Sequence, residues 1–307
     1  MIFAMSRFNP FIKKIIRILS ILFFCFIIGL VIYFGRRPSR EPVFLEAVHP
    51  GINYYRGSTS LPYRTVYHLV EIDLTTAGLE LISNDPVNQI GGTVEYAAAT
   101  VSDFAEEFDT QIAINGNFFF PFYATTPISY YPRRGEFVEV NGLAINDGVV
   151  QHRSEGRKWP SLCIDFENRA RIETKGTCPA DTKVGLAGNI QTLKDGKQIE
   201  FPNEDKLPRT IVGVNQDGDK MWFLVIDGRQ WPYSAGATHY FGQSVLKDVG
   251  AYNVLNLDGG GSTTLVMQQD GRQKLMNSPY HTRVVRRERP VANFLGVRLI
   301  ADSQSAQ

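Results

Sequence analysis

Asn256-Leu257-Asp258-Gly259-Gly260-Gly261-Ser262 is the stretch whose reading decides the fold. An apolar run, residues 254–257, delivers one carboxylate into three glycines and a hydroxyl, and a second strand-like run, 263–267, follows. Three consecutive glycines add nothing to a core and lose conformational entropy on folding. A chain keeps them where the backbone turns through positive φ or where something must approach the main chain closely. Exposed N–H groups in such a turn can form an anion-binding nest. The alternative, a tight hairpin with an acidic turn residue, explains a single Asp-Gly pair. The flanking Asn256 and Ser262 and the two strands point instead to a functional site.

Working outward, residues 238–249 read as a helix stopped by Gly250 and feeding the strand into Asp258. A similar order stands earlier. A helix over 94–108, capped by Thr93 and presenting Val101, Phe104, Ala105 and Phe108 on one face, is followed by the short strand 111–114. That strand ends in Asn115-Gly116-Asn117 before three phenylalanines. Polar, glycine-containing ends of buried strands are expected to converge on one cleft. Residues 67–74 and 79–83 read as a hairpin about a turn at 75–78. Residues 209–214 and 221–226 read as a second hairpin, ending in Asp227-Gly228-Arg229. The result is an α+β chain: one catalytic domain of mixed or antiparallel β-sheet with a few helices.

The amino-terminal part is different. Residues 18–34 carry no charge, and 17 residues sit at the short end of what spans a bilayer core. Arg7, Lys13, Lys14 and Arg17 precede this run; Arg36, Arg37 and Arg40 follow it. The distribution favours an uncleaved transmembrane helix acting as signal anchor, with the domain periplasmic or extracellular. The expected organisation is a cytoplasmic segment 1–17, an anchor 18–34, a proline-containing linker 35–64, a domain 65–302 and a tail 303–307.

The 307 residues carry a formal net charge of +1, which argues against a nucleic-acid surface. Hydrophobic residues make up 43% and charged residues 21%, an ordinary globular balance. Cys25 lies in the anchor. Cys163 and Cys178 either close a disulfide, if that part lies outside the cytoplasm, or stay free. No nucleophile elbow, zinc-protease motif or phosphate-binding P-loop is present, and the five histidines show no metal spacing. Acid–base work therefore falls to carboxylates. Arg209 and Arg229 make a candidate phosphate clamp, since a guanidinium grips phosphate oxygens in a fork. Arg283, Arg286 and Arg287 read as a solvated or headgroup-facing patch, whereas Arg289 and Asn293 stand where a last strand, 294–300, begins.

The order Asn115-Gly116-x-Phe118-Phe119, Arg209-Thr210-x-x-Gly213, Asp227-Gly228-Arg229, 256–264, Asn277-x-Pro279 and Arg289-Pro290-Val291-Ala292-Asn293 resembles the phosphodiester glycosidase family. That family includes the catalytic domain of animal N-acetylglucosamine-1-phosphodiester α-N-acetylglucosaminidase and bacterial members of exopolysaccharide-biosynthesis type. The resemblance covers 65–302, and the chain looks like a bacterial envelope member. It implies a hydrolase releasing a sugar from a sugar-1-phosphodiester, with an oxocarbenium-like transition state that needs a carboxylate. Asp258, with Asp227 second, is the expected catalytic carboxylate. Arg209, Arg229 and the N–H groups of Gly259, Gly260, Gly261 and Ser262 would hold the phosphate. Asn115, Gly116, Asn117, Asn256, Asn277, Arg289 and Asn293 would line the rest of the site. No cofactor is implied with certainty; a divalent cation bridging Asp258 and phosphate is compatible with it. The expected partners are a sugar-phosphate or polysaccharide substrate and, through the helix, a membrane. The alternatives are a non-catalytic glycan-binding or assembly protein and a metal-dependent phosphodiesterase that cleaves P–O.

Overall fold

A computed structural model describes residues 9–35, 40–61, 63–90, 93–126, 128–153, 158–201 and 205–300. Mostly antiparallel sheet with few helices forms a single domain, as expected for an α+β chain. An eight-stranded sheet runs, in spatial order, Arg40–His49, Ile52–Thr59, Thr65–Asp73, Lys220–Ile226, Arg209–Val214, Asn253–Asn256, Ile190–Lys194 and Lys197–Gln198. A five-stranded sheet runs Arg272–Leu275, Leu265–Gln269, Ile112–Asn115, Phe294–Leu299 and Leu79–Ile82. A second five-stranded sheet contains Ser161–Asp165 and Thr182–Ala187.

One apolar core joins the three sheets. Val70, Val212, Phe223 and Leu255 come from the large sheet, Ile112, Met267 and Val297 from the first small one, and Leu162 and Leu186 from the second. Side chains alternate across a strand, so each large-sheet strand also presents an opposite row. There Leu69, Ile211, Trp222, Leu224 and Val254 meet Leu246 of helix His239–Asp248. On the outer face of the first small sheet, Val101, Phe104 and Ala105 of helix Val101–Glu107 pack on Ala113, Val266 and Phe294. Strand Arg209–Val214 is covered on both faces, so all six of its residues are buried and its last four show no polar alternation.

Four expectations change. Residues 93–97 are strand, not helix, and the helix begins after Thr100. Asp103 stands three residues beyond Thr100 and completes a reciprocal capping box: Asp103 N–H donates to Thr100 Oγ1 (3.1 Å) and Thr100 N–H to Asp103 Oδ2 (2.9 Å). Thr93 has Tyr96 at that position and no such partner. Thr65–Asp73 and Leu79–Ile82 are not a hairpin. The first pairs with Ile52–Thr59 and Lys220–Ile226, the second with Phe294–Leu299, so the turn between them carries the chain from one sheet to the other. Residues 40–59, expected within a linker, form two antiparallel strands at the edge of the large sheet. The apolar run after the glycines starts later, at Leu265. The hairpin of Arg209–Val214 with Lys220–Ile226 and the helix capped by Thr238 agree with the sequence reading.

Helix Pro10–Gly35 carries the uncharged stretch. Its described apolar side chains are exposed on every face, Leu19, Phe23, Phe24 and Phe26 among them. Counted over the described residues alone, no helix is long and apolar enough to cross a membrane. The side chains of 31 and 33–35, at the far end of the stretch, lie outside the described set.

Cys163 and Cys178 are joined by a disulfide across 15 positions of sequence. A loop of that length removes about 3 kcal/mol of unfolded-chain entropy. The Cys163→Ala/Cys178→Ala chain is expected to lose about that much stability and unfold at lower urea concentration, with a slope that is equal or somewhat steeper because the unfolded chain is less compact. An unchanged midpoint would show that the bond does not constrain the unfolded chain.

Candidate active site

The strand end at Asn115 and the strand end at Asp258 meet directly. Asn115 Nδ2 donates to the Asp258 carbonyl (2.7 Å), and its Oδ1 accepts from Thr210 Oγ1 (2.7 Å) and Thr264 N–H (3.2 Å). Asp258 N–H donates to Gly116 O (3.2 Å). One buried amide thus ties the large sheet to the first small sheet where the carboxylate emerges.

That carboxylate faces a cavity of about 500 Å³. Eight of the expected residues line it: Arg209, Arg229, Asn256, Asp258, Gly259, Gly260, Gly261 and Arg289. Phe118, quoted above only as part of a motif, lines it too, as do Phe122, Asn189, Asp205 and His239, which were not singled out in the sequence. His239 is legible only as the first residue after the Thr238 cap, and Phe118 and Phe122 as aromatics beside Asn117.

Each arginine is held differently. Arg209 is buried; its Nε donates to Ala237 O (2.6 Å), Nη2 to Asp205 O (3.1 Å) and Nη1 to His239 Nε2 (2.6 Å). Arg229 is exposed, at φ 59°, and reaches Gly260, where a Cβ would lie 3.3 Å from its Nη1. Arg289 lies over the Phe122 ring at 4.1 Å and donates from Nη1 to Ser262 Oγ (3.1 Å) and from Nε to His281 Nδ1 (3.3 Å). Burial, then Arg289 and Arg287, push His281 down to about 3, so its ring stays neutral and Nδ1 accepts. A Cβ on Gly261 would collide with the Arg289 guanidinium, so this glycine is needed for close approach.

The glycine turn is a correction to the anion nest. Gly259 N–H donates to Asp258 Oδ1 (2.8 Å), Gly260 N–H to Pro208 O (2.8 Å) and Ser262 N–H to Gly259 O (3.2 Å). These N–H groups shape the turn instead of facing the cavity. Positive charge in the site therefore comes from the guanidinium groups.

Asp258 is held up at about 6. Burial raises it; Arg289, the Ser262 hydroxyl and the Gly259 N–H pull it back down. Asp227 behaves in the opposite way and does not line the cavity. Burial opposes its ionisation, but His68, the Ser278 N–H and Tyr233 more than offset that and hold it below the usual carboxylate range. Its oxygens are bonded to Ser278 N–H (2.7 Å), Asn277 Nδ2 (3.2 Å), Tyr233 OH (2.9 Å) and His68 Nε2 (3.4 Å). Its expected catalytic role is corrected to that of a structural carboxylate.

Six other expected site residues are likewise structural. Asn277 also holds Thr263 O and Leu265 N–H. Asn117 bonds Asn141 O, Leu143 O and Ala187 N–H, and Asn293 locks both Asn117 and the Gly116 turn. Asn115 and Gly116 fix the Asp258 backbone, and Ser262 sits behind the cavity wall between Arg289 and Asp258. Asn256 does line the cavity. Its Nδ2 is bonded to Asn189 Oδ1 and Leu257 O, while its buried Oδ1 has no partner among the described residues. Also among the described residues, no group of three or more histidine, cysteine or carboxylate side chains is placed to hold a metal ion.

Residues 108–298 match the model of the phosphodiester glycosidase family. The chain belongs to the phosphodiester glycosidase family. It is 25% identical over 192 residues to the SPbeta prophage-derived uncharacterized protein YomE of Bacillus subtilis (strain 168), covering 54% of this chain and 29% of that protein. The chain therefore matches under a third of that relative's length. The fold resembles the auto-inhibited catalytic domain of zebrafish N-acetylglucosamine-1-phosphodiester alpha-N-acetylglucosaminidase, with TM-score 0.58 and 19% identity over 84% of this chain and 87% of that one. It also resembles a hypothetical protein from Synechocystis, with TM-score 0.58 and 13% identity over 80% of this chain and 62% of that one. The third likeness, a putative exported protein of Burkholderia pseudomallei K96243, has TM-score 0.56 and 14% identity over 76% and 74%. Family membership supports a hydrolase-like role for the chain.

The raised pKa of Asp258 carries a stability consequence. Its folded value of about 6 lies above the ordinary 3.8, so ionisation weakens the fold. The loss begins as pH rises past the unfolded value and is complete above about 6, with a ceiling on the order of 3 kcal/mol. Asp258→Asn is expected to melt higher than the native chain at pH 7.5 and level with it at pH 4. Equal melting temperatures at both pH values would contradict the assignment.

Proposed function

We propose that the chain is a membrane-anchored phosphodiester glycosidase that hydrolyses a sugar-1-phosphodiester, of the N-acetylglucosamine-1-phosphate type, in envelope or extracellular polysaccharide. The observation that carries this reading is one buried carboxylate, Asp258, facing a cavity walled by Arg209, Arg229 and Arg289. That pairing suits a bond between an anomeric carbon and a phosphate.

In the proposed reaction the arginines grip the phosphate, and their charge stabilises the negative charge that builds there as the bond between the anomeric carbon and oxygen breaks. The bonding pair leaves with the phosphate, a good leaving group that needs little protonation. Water attacks the anomeric carbon, and Asp258 takes its proton. A carboxylate with a pKa near 6 is mostly ionised at neutral pH yet basic enough for this step. Phe118 and Phe122 give the sugar ring apolar faces. Products are the free sugar and a phosphomonoester. Any divalent cation would find Asp258 as its one buried carboxylate on this wall, and the scheme takes no step through it.

Anchoring by residues 18–34 and placement of the domain outside the cytoplasm are part of the proposal. A helix apolar on all sides is stable only when something apolar surrounds it. The Cys163–Cys178 disulfide suits an oxidising compartment.

The full chain in detergent, given an N-acetylglucosamine-1-phosphodiester with a simple alkyl aglycone, is expected to release free sugar. Asp258→Asn should lower kcat by about a thousandfold. For the native chain kcat/KM should rise with pH through about 6 and level off. Removing Arg289, whose charge lowers the Asp258 pKa, should move that inflection upward. A folded protein inert on a panel of sugar-1-phosphodiesters sinks the reading.

A further inference from the structure

A second cavity, of about 880 Å³, adjoins the first. The two share a partition. His281 lines the larger one, and its Nδ1 accepts from Arg289, which lines the smaller. Tyr130 lines the larger one and packs on both His281 (5.5 Å) and Phe122 (5.6 Å), the latter on the smaller cavity's wall.

Four guanidinium groups line the larger cavity: Arg133, Arg134, Arg286 and Arg287. The lining carboxylate is Glu288, which is turned to the Ser102 N–H (3.1 Å) and Ser102 hydroxyl (2.6 Å). Arg134 is paired with Asp103 at 2.9 Å. The guanidinium groups of Arg133, Arg286 and Arg287 donate to neutral acceptors, Ser129 Oγ, Leu275 O and Thr282 Oγ1 respectively, while the Arg133 backbone N–H donates to Glu136 Oε2. The turn that carries two of these arginines is strained. Thr282, Arg283 and Arg286 lie at φ 52°, 61° and 59°, a region non-glycine residues avoid. Strain of this kind persists where the surroundings enforce it, and it clusters at binding sites. A net positive groove, held by a strained turn and opening beside the carboxylate that would cut the bond, is built for more than one anionic group.

We propose that this groove binds the aglycone side of the substrate, and that the aglycone is itself a phosphate-bearing chain: the cleaved linkage is one of a series in a phosphodiester-linked polysaccharide. This rests on the glycosidase reading and names its substrate class. The linkage being cut occupies Arg209, Arg229 and Arg289. The next phosphate along the chain reaches Arg286, Arg287 and Arg133, and Tyr130 lies between them against the intervening sugar.

The test compares two substrates on the full chain: a single sugar-1-phosphodiester with a neutral alkyl aglycone, and an oligomer of three or so such repeats. The oligomer is expected to show a kcat/KM about tenfold higher, mostly through KM, with the advantage shrinking as salt is raised. Arg133 and Arg286 are both exposed, so Arg133→Gln/Arg286→Gln is expected to fold. It should lose the oligomer's advantage while cleaving the single repeat within about twofold of the native rate. An oligomer no better than the single repeat, or a double variant that keeps the preference, overturns the inference while the glycosidase reading stands. If neither substrate is cleaved, the glycosidase reading fails, and calorimetric titration of Asp258→Asn with the oligomer decides the groove separately. Tight binding that the arginine changes weaken supports it; no binding overturns it. Loss of attachment to anionic phospholipid vesicles in the double variant, with the oligomer kinetics unmoved, assigns the arginines to a lipid surface and also overturns it.

Discussion

The Asn115 amide is the constraint on which the site depends. It sits where an eight-stranded sheet and a five-stranded sheet bring their strand ends together, and it bonds the Asp258 carbonyl, the Thr210 hydroxyl and the Thr264 N–H at once. An unpartnered buried amide is costly, and a fully partnered one fixes geometry. The three contacts set where the glycine turn begins and so where the Asp258 carboxylate points. Asn117, Asn277 and Asn293 do the same for neighbouring turns. The asparagines are a frame behind the cavity, and the arginines and one carboxylate are its working surface.

That frame explains why Asp258 and Asp227, two residues of one chemistry, differ so much. Both are buried. Asp227 is ringed by donors and stays ionised below the ordinary range; Asp258 has the Gly259 N–H, the Ser262 hydroxyl and the Arg289 charge, and burial outweighs them. Arg289 is the hinge of this balance. It packs half-buried over Phe122, reaches Asp258 through Ser262, and its approach is possible because position 261 has no side chain. The same guanidinium leans on His281, which opens into the arginine-rich groove. The electrostatics of cleavage and those of the neighbouring groove are therefore coupled through one side chain.

The sequence made much of this legible. The run into Asp258, the arginines at 209, 229 and 289 and the flanking glycines stand out by residue type, and the structure brings them to one cavity. Apolar strands covered on both faces were recognisable as strands, though not by partner: Thr65–Asp73 and Leu79–Ile82 look like a hairpin and belong to different sheets. The limit is physical, because alternation records which faces are buried and not what buries them. Asparagine is ambiguous for a related reason, since the same amide serves a substrate hydroxyl or a carbonyl across the core. His239 and Asp205 were invisible as site residues because a helix start and a loop carry no spacing signal. The anion nest failed because the Gly259, Gly260 and Ser262 N–H groups are taken by oxygens of Asp258, Pro208 and Gly259, partners that residue spacing does not reveal. The strands at 40–59 were hidden by prolines that read as linker.

The central claim is that the buried Asp258 carboxylate directs water to an anomeric carbon while the arginines hold the departing phosphate. Hydrolysis of a sugar-1-phosphodiester in heavy-oxygen-labelled water tests it most directly. The account predicts that the label enters the released sugar, at its anomeric hydroxyl, and that the phosphomonoester carries none. Label in the phosphomonoester instead would mean that the P–O bond breaks, and would contradict the role assigned to Asp258.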